Sequence, residues 1–89
     1  MTLSEDPAER AGRYIQTFNS ALQRNRIVAE DCVVKGSSIL KVADAIQRYM
    51  KDAKHYMANQ KPTTSLVSIA YAEGLLDALV HLELTKALE

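Results

Sequence analysis

SLVSIAYAEGLLDALVHLEL, residues 65–84, is the stretch whose reading decides the fold of this chain. Leu66, Ile69, Ala72, Leu76 and Leu79 fall on one side of a helix with 3.6 residues per turn, and Val67, Tyr71, Leu75, Ala78 and Leu82 fall on another. A helix apolar on two sides must be covered on two sides, the second either by helix 1 of the same chain or by a second copy of it. Its polar residues reduce to a ridge of Glu73, Asp77 and His81 at successive i+4 steps. Gly74 stands beside that ridge although glycine costs about 1 kcal/mol relative to alanine in a helix, which points to a close approach of another backbone. Pro62 turns Lys61 away from helical angles and Thr63-Thr64-Ser65 offers caps, so the helix is predicted over about 64–84.

Upstream, Ile39, Ala43, Ile46, Met50, Ala53 and Met57 repeat with alternating steps of four and three. Extended backwards, the same repeat meets Gly36, Cys32 and Ala29, which predicts a helix over 28–60 with Gly36 as a close-contact point inside it. A fresh start at Ser37 or Ser38 is the competing reading, because serine is a good N-cap. Further back, Asp6-Pro7-Ala8-Glu9 reads as a helix start: Asp6 caps, Pro7 suits the first helical position and Glu9 reaches back towards the cap. Ala11, Tyr14, Ile15, Phe18, Ala21 and Leu22 then form one stripe, and the helix is predicted over 7–24.

No strand-like alternation or internal repeat appears, so the expected fold is all-α: a three-helix bundle with helices 2 and 3 as an antiparallel hairpin. With 89 residues, one domain spanning 1–89 is expected. Composition is that of an ordinary globular protein, 47% apolar and 25% charged. Lys plus Arg and Asp plus Glu are equal at 11 each, which leaves no bulk positive field to hold a phosphate backbone. Nucleic acid is therefore not expected as a partner. The balance hides an asymmetry. Residues 41–61 carry five bases and two acids, net +3, while residues 62–89 carry one base and four acids, net −3. Opposite signs on neighbouring segments attract across a hairpin. Cys32 is the single cysteine and cannot form an internal disulfide; no leader and no spanning run appears near either end, so a cytoplasmic protein with no membrane partner is expected.

Two constellations carry ligand-type chemistry. Glu73, Asp77 and His81 are metal-ligand types one turn apart, but a single ridge leaves most of a coordination sphere open, and no metal site is expected. Arg48 and His55 share a polar stripe of helix 2, with Asp44 four residues before Arg48 in the orientation that favours an ion pair. The same pair, Arg48-x6-His55, resembles the spaced Arg and His of the ribonucleases among the HEPN helical bundles, which implies a nucleotide- or RNA-directed enzyme as an alternative. Four tyrosines, Tyr14, Tyr49, Tyr56 and Tyr71, lie at or beside apolar stripes and are expected to pack their rings. Met50 and Met57 fit the core seam, and Cys32, on the same seam, is expected to be a buried, inert thiol. Nucleophile elbows, phosphate loops and dinucleotide glycine patterns are absent, and no cofactor is expected.

Tyr49-x2-Asp52-Ala53-x2-Tyr56, followed after a short turn by Ser68-Ile69-Ala70-Tyr71-Ala72-Glu73-Gly74-Leu75-Leu76-Asp77-Ala78-Leu79, resembles domain-of-unknown-function family 357, small helical proteins found mainly in archaea. The resemblance covers residues 39–82 well and the first helix loosely. It marks Asp52, Tyr71, Gly74 and Asp77 as positions to watch, and Glu73 joins them as the start of the polar ridge. Between the last two leucines, where the family pattern has glycine, this chain has Glu83. The family has no assigned activity; in some members a similar segment accompanies a nucleotidyltransferase-like domain, which implies an accessory role beside such a partner. The expectation is a non-catalytic interaction or accessory module that pairs with itself as a homodimer, its candidate surface made of Asp52, Tyr71, Glu73, Gly74 and Asp77, with Arg48, His55 and His81 as lesser candidates. A metal-binding helical protein is the third reading.

Overall fold

The structure is a computed structural model and describes residues 6–88. It contains three α-helices and, among the described residues, no strand: α1 Pro7–Arg24, α2 Gly36–Ala58 and α3 Pro62–His81. The chain divides into two compact units, one ending at Cys32 and one beginning at Val33.

In the first unit, α1 starts as its sequence requires. The Asp6 carboxylate accepts from the Glu9 backbone N–H at 2.9 Å, and Pro7 opens the helix. At the other end the Asn25 side-chain amide donates to the Ala21 carbonyl at 2.7 Å. Arg10 lies over the Tyr14 ring, 5.7 Å from its centroid. The predicted stripe is present, with Tyr14, Ile15, Phe18 and Leu22 all exposed.

In the second unit, α2 and α3 pack against each other as the predicted hairpin. Both contribute a seam with heptad spacing. On α2 it runs through half-buried Ile39, Val42, Ile46, Tyr49 and Tyr56 with buried Ala53; on α3 it runs through buried Ser65, Ser68, Ala72 and Leu79 with half-buried Leu75. Small residues meet across the seam near the turn: the Ser65 hydroxyl donates to the Ala53 carbonyl at 2.6 Å, out of water. Antiparallel packing also sets the more basic helix against the more acidic one, as the charge asymmetry predicted.

Three sequence expectations are corrected. First, α2 begins at Gly36, not at 28; residues 25–35 are irregular or bent, and Lys35 occupies the cap position with no side-chain capping bond from it or from either serine. A backward projection of periodicity cannot see that the chain has already left the helix. Gly36 therefore opens the helix instead of serving as a contact point within it, and a Cβ there would meet nothing within 4 Å. Second, Cys32 lies ahead of the helix and is exposed, not buried on a seam. Third, α3 starts at Pro62 itself, with Thr63, Thr64 and Ser65 inside its first turns, and ends at His81.

Both hairpin helices finish with the same hydrogen-bond pattern. In α2, Lys61 N–H donates to the Tyr56 carbonyl at 2.8 Å and Gln60 N–H to the Met57 carbonyl at 3.2 Å; in α3, Leu84 N–H donates to Leu79 at 2.9 Å and Glu83 N–H to Val80 at 2.9 Å. This is the Schellman closure, and it needs a left-handed residue after the cap. Gln60 and Glu83 take that conformation, with φ of 60° and 61°. A side chain with a Cβ costs about 1 kcal/mol there. Glu83 thus takes the left-handed conformation at the position where the sequence reading expected a glycine.

Candidate interaction surface

Packing through these seams gives the hairpin two flanks, which can be assigned from what lines them. On one flank the Tyr49 and Tyr71 rings stack, their centroids 5.1 Å apart and planes 14° from parallel. Such a pair contributes about 0.5–1.5 kcal/mol beyond its burial, and it fixes the rotation of α3 about its axis. Val67 and Ala70 form a shallow depression beside Tyr71, and Arg48, Tyr49, Lys51, Asp52 and His55 line another along α2. On the opposite flank, Ile46, Gln47 and Met50 of α2 with Ile69, Ala72, Glu73 and Leu76 of α3 line an apolar groove. Helical spacing places Met57, seven residues after Met50, and Val80, four after Leu76, on this same Leu76 face, with Leu40 and Leu66 along its edges.

The sequence-derived candidates are therefore divided. Asp52 and Tyr71 belong to the tyrosine flank and are linked through Tyr49, whereas Glu73 borders the groove and Asp77, four residues on, extends the same edge. Gly74 lies away from the α2 seam, and a Cβ there would meet nothing within 4 Å, so no close backbone approach within the hairpin uses it. The five residues do not form one cluster.

Arg48 bonds its helical neighbour: its Nε donates to Asp44 at 3.1 Å, with both side chains 70% exposed. An exposed i,i+4 pair of this kind contributes about 0.3–0.5 kcal/mol and orients nothing beyond the helix surface. His55 sits edge-on to Tyr56, with centroids 5.6 Å apart, and its Nδ1 lies 3.4 Å from the Asn59 amide nitrogen. His81 turns its Nδ1 to the Asp77 carbonyl oxygen at 2.7 Å, so its ring is held against its own helix. Among the described residues, no three His, Cys, Asp or Glu side chains converge on a site that could hold a metal ion.

The residues that the sequence reading misplaced are apolar. Met50 and Met57 were read as core, yet they are 38% and 60% exposed, and Leu66 and Leu76 on the apolar side of α3 are exposed as well. The signal lay in α2, where Ile39, Ile46 and Ala53 belong to two overlapping seams. Adding Ala43, Met50 and Met57 gives the seam predicted; adding Val42, Tyr49 and Tyr56 gives the seam α3 occupies. A helix with both has an apolar surface broader than one partner covers.

By length and composition α3 is also apolar enough to cross a membrane, with 22% of its most apolar window buried. Glu73 and Asp77 lie in the second half of that helix, and an aspartate at the centre of a spanning helix costs about 2.5–3.5 kcal/mol.

Residues 13–85 match the profile of a family described as protein of unknown function, DUF357. No curated protein and no solved structure matches the chain.

Proposed function

The chain belongs to the DUF357 family of proteins of unknown function, and from the surface just described we propose that it is a non-catalytic interaction module whose working part is the open Leu76 face of the α2–α3 hairpin. One observation carries this reading. The only apolar side chains that the hairpin buries are Ala53, Ala72 and Leu79, while Leu40, Met50, Met57, Leu66, Leu76 and Val80 stand exposed along one flank and its edges. Apolar side chains contiguous over two helices, bordered by Gln47 and Glu73, have the composition of an interface: greasy at the centre and polar at the rim.

The enzymatic alternative lacks comparable support. A general base or phosphate clamp needs a positioned group, and Arg48 and His55 are exposed side chains whose hydrogen-bond partners lie four residues away, Asp44 on α2 and Asn59 at its C-cap. Incubation of the full chain with single-stranded and structured RNA should release no product above the level of an Arg48→Ala, His55→Ala double variant. Reproducible cleavage that the double variant loses would overturn the non-catalytic reading.

A further inference from the structure

Accepting that the Leu76 face is an interface, we infer that its occupant is a second copy of this chain, seated so that α2 of one copy lies over α3 of the other in a two-fold four-helix bundle.

Area is the first argument. α3, with 20 residues, is about 30 Å long, and two helices side by side are about 20 Å wide, so one hairpin face has a flat footprint of about 600 Å² and a larger corrugated accessible area. A stable interface takes about 800 Å² from each partner, so the whole hairpin face has to be covered; a second hairpin matches its width, and a single docked peptide helix would leave about half of it open. The second argument is charge. With histidines neutral, α2 carries Lys41, Arg48, Lys51 and Lys54 against Asp44 and Asp52, a net of +2; α3 carries Glu73 and Asp77 and no Lys or Arg, a net of −2. Packed helices lie 8–10 Å apart, close to the screening length of about 8 Å at physiological salt, so the net charge of one is felt by the next. A two-fold axis parallel to the helices sets α2 on the partner's α3 and opposes unlike charges. An axis across them would set α3 on α3 and α2 on α2, opposing like charges twice. The chain is thus complementary to itself in one arrangement and not in the other.

Sedimentation equilibrium of the full chain from about 10 to 300 µM tests this, with circular dichroism confirming that each variant keeps its helices. The wild type should sediment at twice the 9.9 kDa chain mass. Leu76→Glu, or Val80→Glu at a more exposed position of the same face, should raise the dissociation constant at least 100-fold, while Val67→Glu on the tyrosine flank should leave it within threefold. Reversing both α3 charges, Glu73→Lys with Asp77→Lys, should weaken the dimer at least tenfold. Dimerisation unaffected by that reversal would overturn the α2-on-α3 arrangement, and equal disruption by Val67→Glu would overturn the choice of face. A wild-type monomer at 300 µM would overturn the second-copy inference. The fate of the underlying reading is then decided by anilinonaphthalene sulfonate and by neutral phosphatidylcholine vesicles: Leu76-dependent binding of either by the monomer leaves the interaction face standing with another occupant, and binding of neither removes both claims.

Discussion

Leu79→Ala is expected to lower the unfolding free energy by about 2–5 kcal/mol, the largest effect of any single truncation in the hairpin. Leu79 is the one large apolar side chain that the α2–α3 packing buries, at 7% exposure; the other buried apolar residues are alanines. A domain of this size has about 4–13 kcal/mol of stability in all, so the truncation removes a large share of it. Leu76 on α3 and Leu82 at its C-cap are exposed, and truncating Leu82 should cost well under 1 kcal/mol. Urea unfolding followed by helical circular dichroism, at one fixed protein concentration, reads the difference. Equal costs at positions 79 and 82 would show that the seam is misassigned.

Ala53→Leu is expected to cost about 2–6 kcal/mol by the opposite mechanism. Ala53 is buried in the seam, and its own carbonyl accepts the Ser65 hydroxyl at 2.6 Å. A leucine there has no space unless the helices separate, which costs about 1–3 kcal/mol for overpacking. Separation also strands the buried Ser65 hydroxyl, adding about 1–3 kcal/mol. Ser65→Ala alone removes the hydroxyl with its bond and should cost only about 1 kcal/mol, so the two variants distinguish loss of a hydrogen bond from loss of close approach. If Ala53→Leu unfolds at the same urea concentration as the wild type, the close approach near the turn is not a structural constraint.

The parts of this fold legible in the sequence were those written in local chemistry. Asp6-Pro7 placed the start of α1 at the correct residue because capping and proline geometry are properties of neighbours in the chain. Pro62 marked the turn between the hairpin helices for the same reason, although the helix begins on the proline itself and makes Ser65 a packing residue instead of a cap. The end of α3 was legible as an oddity: Glu83 stands where a glycine belongs, and it adopts the left-handed conformation that makes glycine preferable.

What was not legible depended on choosing between surfaces that look alike. The apolar repeat of α2 supports two seams sharing Ile39, Ile46 and Ala53, and only the tyrosine stack at Tyr49 and Tyr71 reveals which of them α3 takes. The choice left Met50 and Met57 outside, on the face proposed to be the interaction surface. The placement of the polar residues singled out by type or by family pattern depends on the same choice. Glu73, Asp77 and His81 are aligned in sequence, but His81 is turned to a backbone carbonyl. Asp52 and Glu73 lie in the linings of different flanks. Side-chain type announces what a residue can do, while the rotation of one helix against another decides which residues meet.

The central claim is that this hairpin completes its core by binding through its Leu76 face, and the concentration dependence of thermal unfolding tests it most directly. Association that only the folded state can make stabilises by mass action, and a 1,000-fold rise in concentration is worth about 4 kcal/mol per dimer. For a chain of this size that shifts the midpoint on the order of 10 °C upward between 1 µM and 1 mM. The account predicts that shift for the wild type and its loss in Leu76→Glu; a midpoint independent of concentration in both proteins would contradict it.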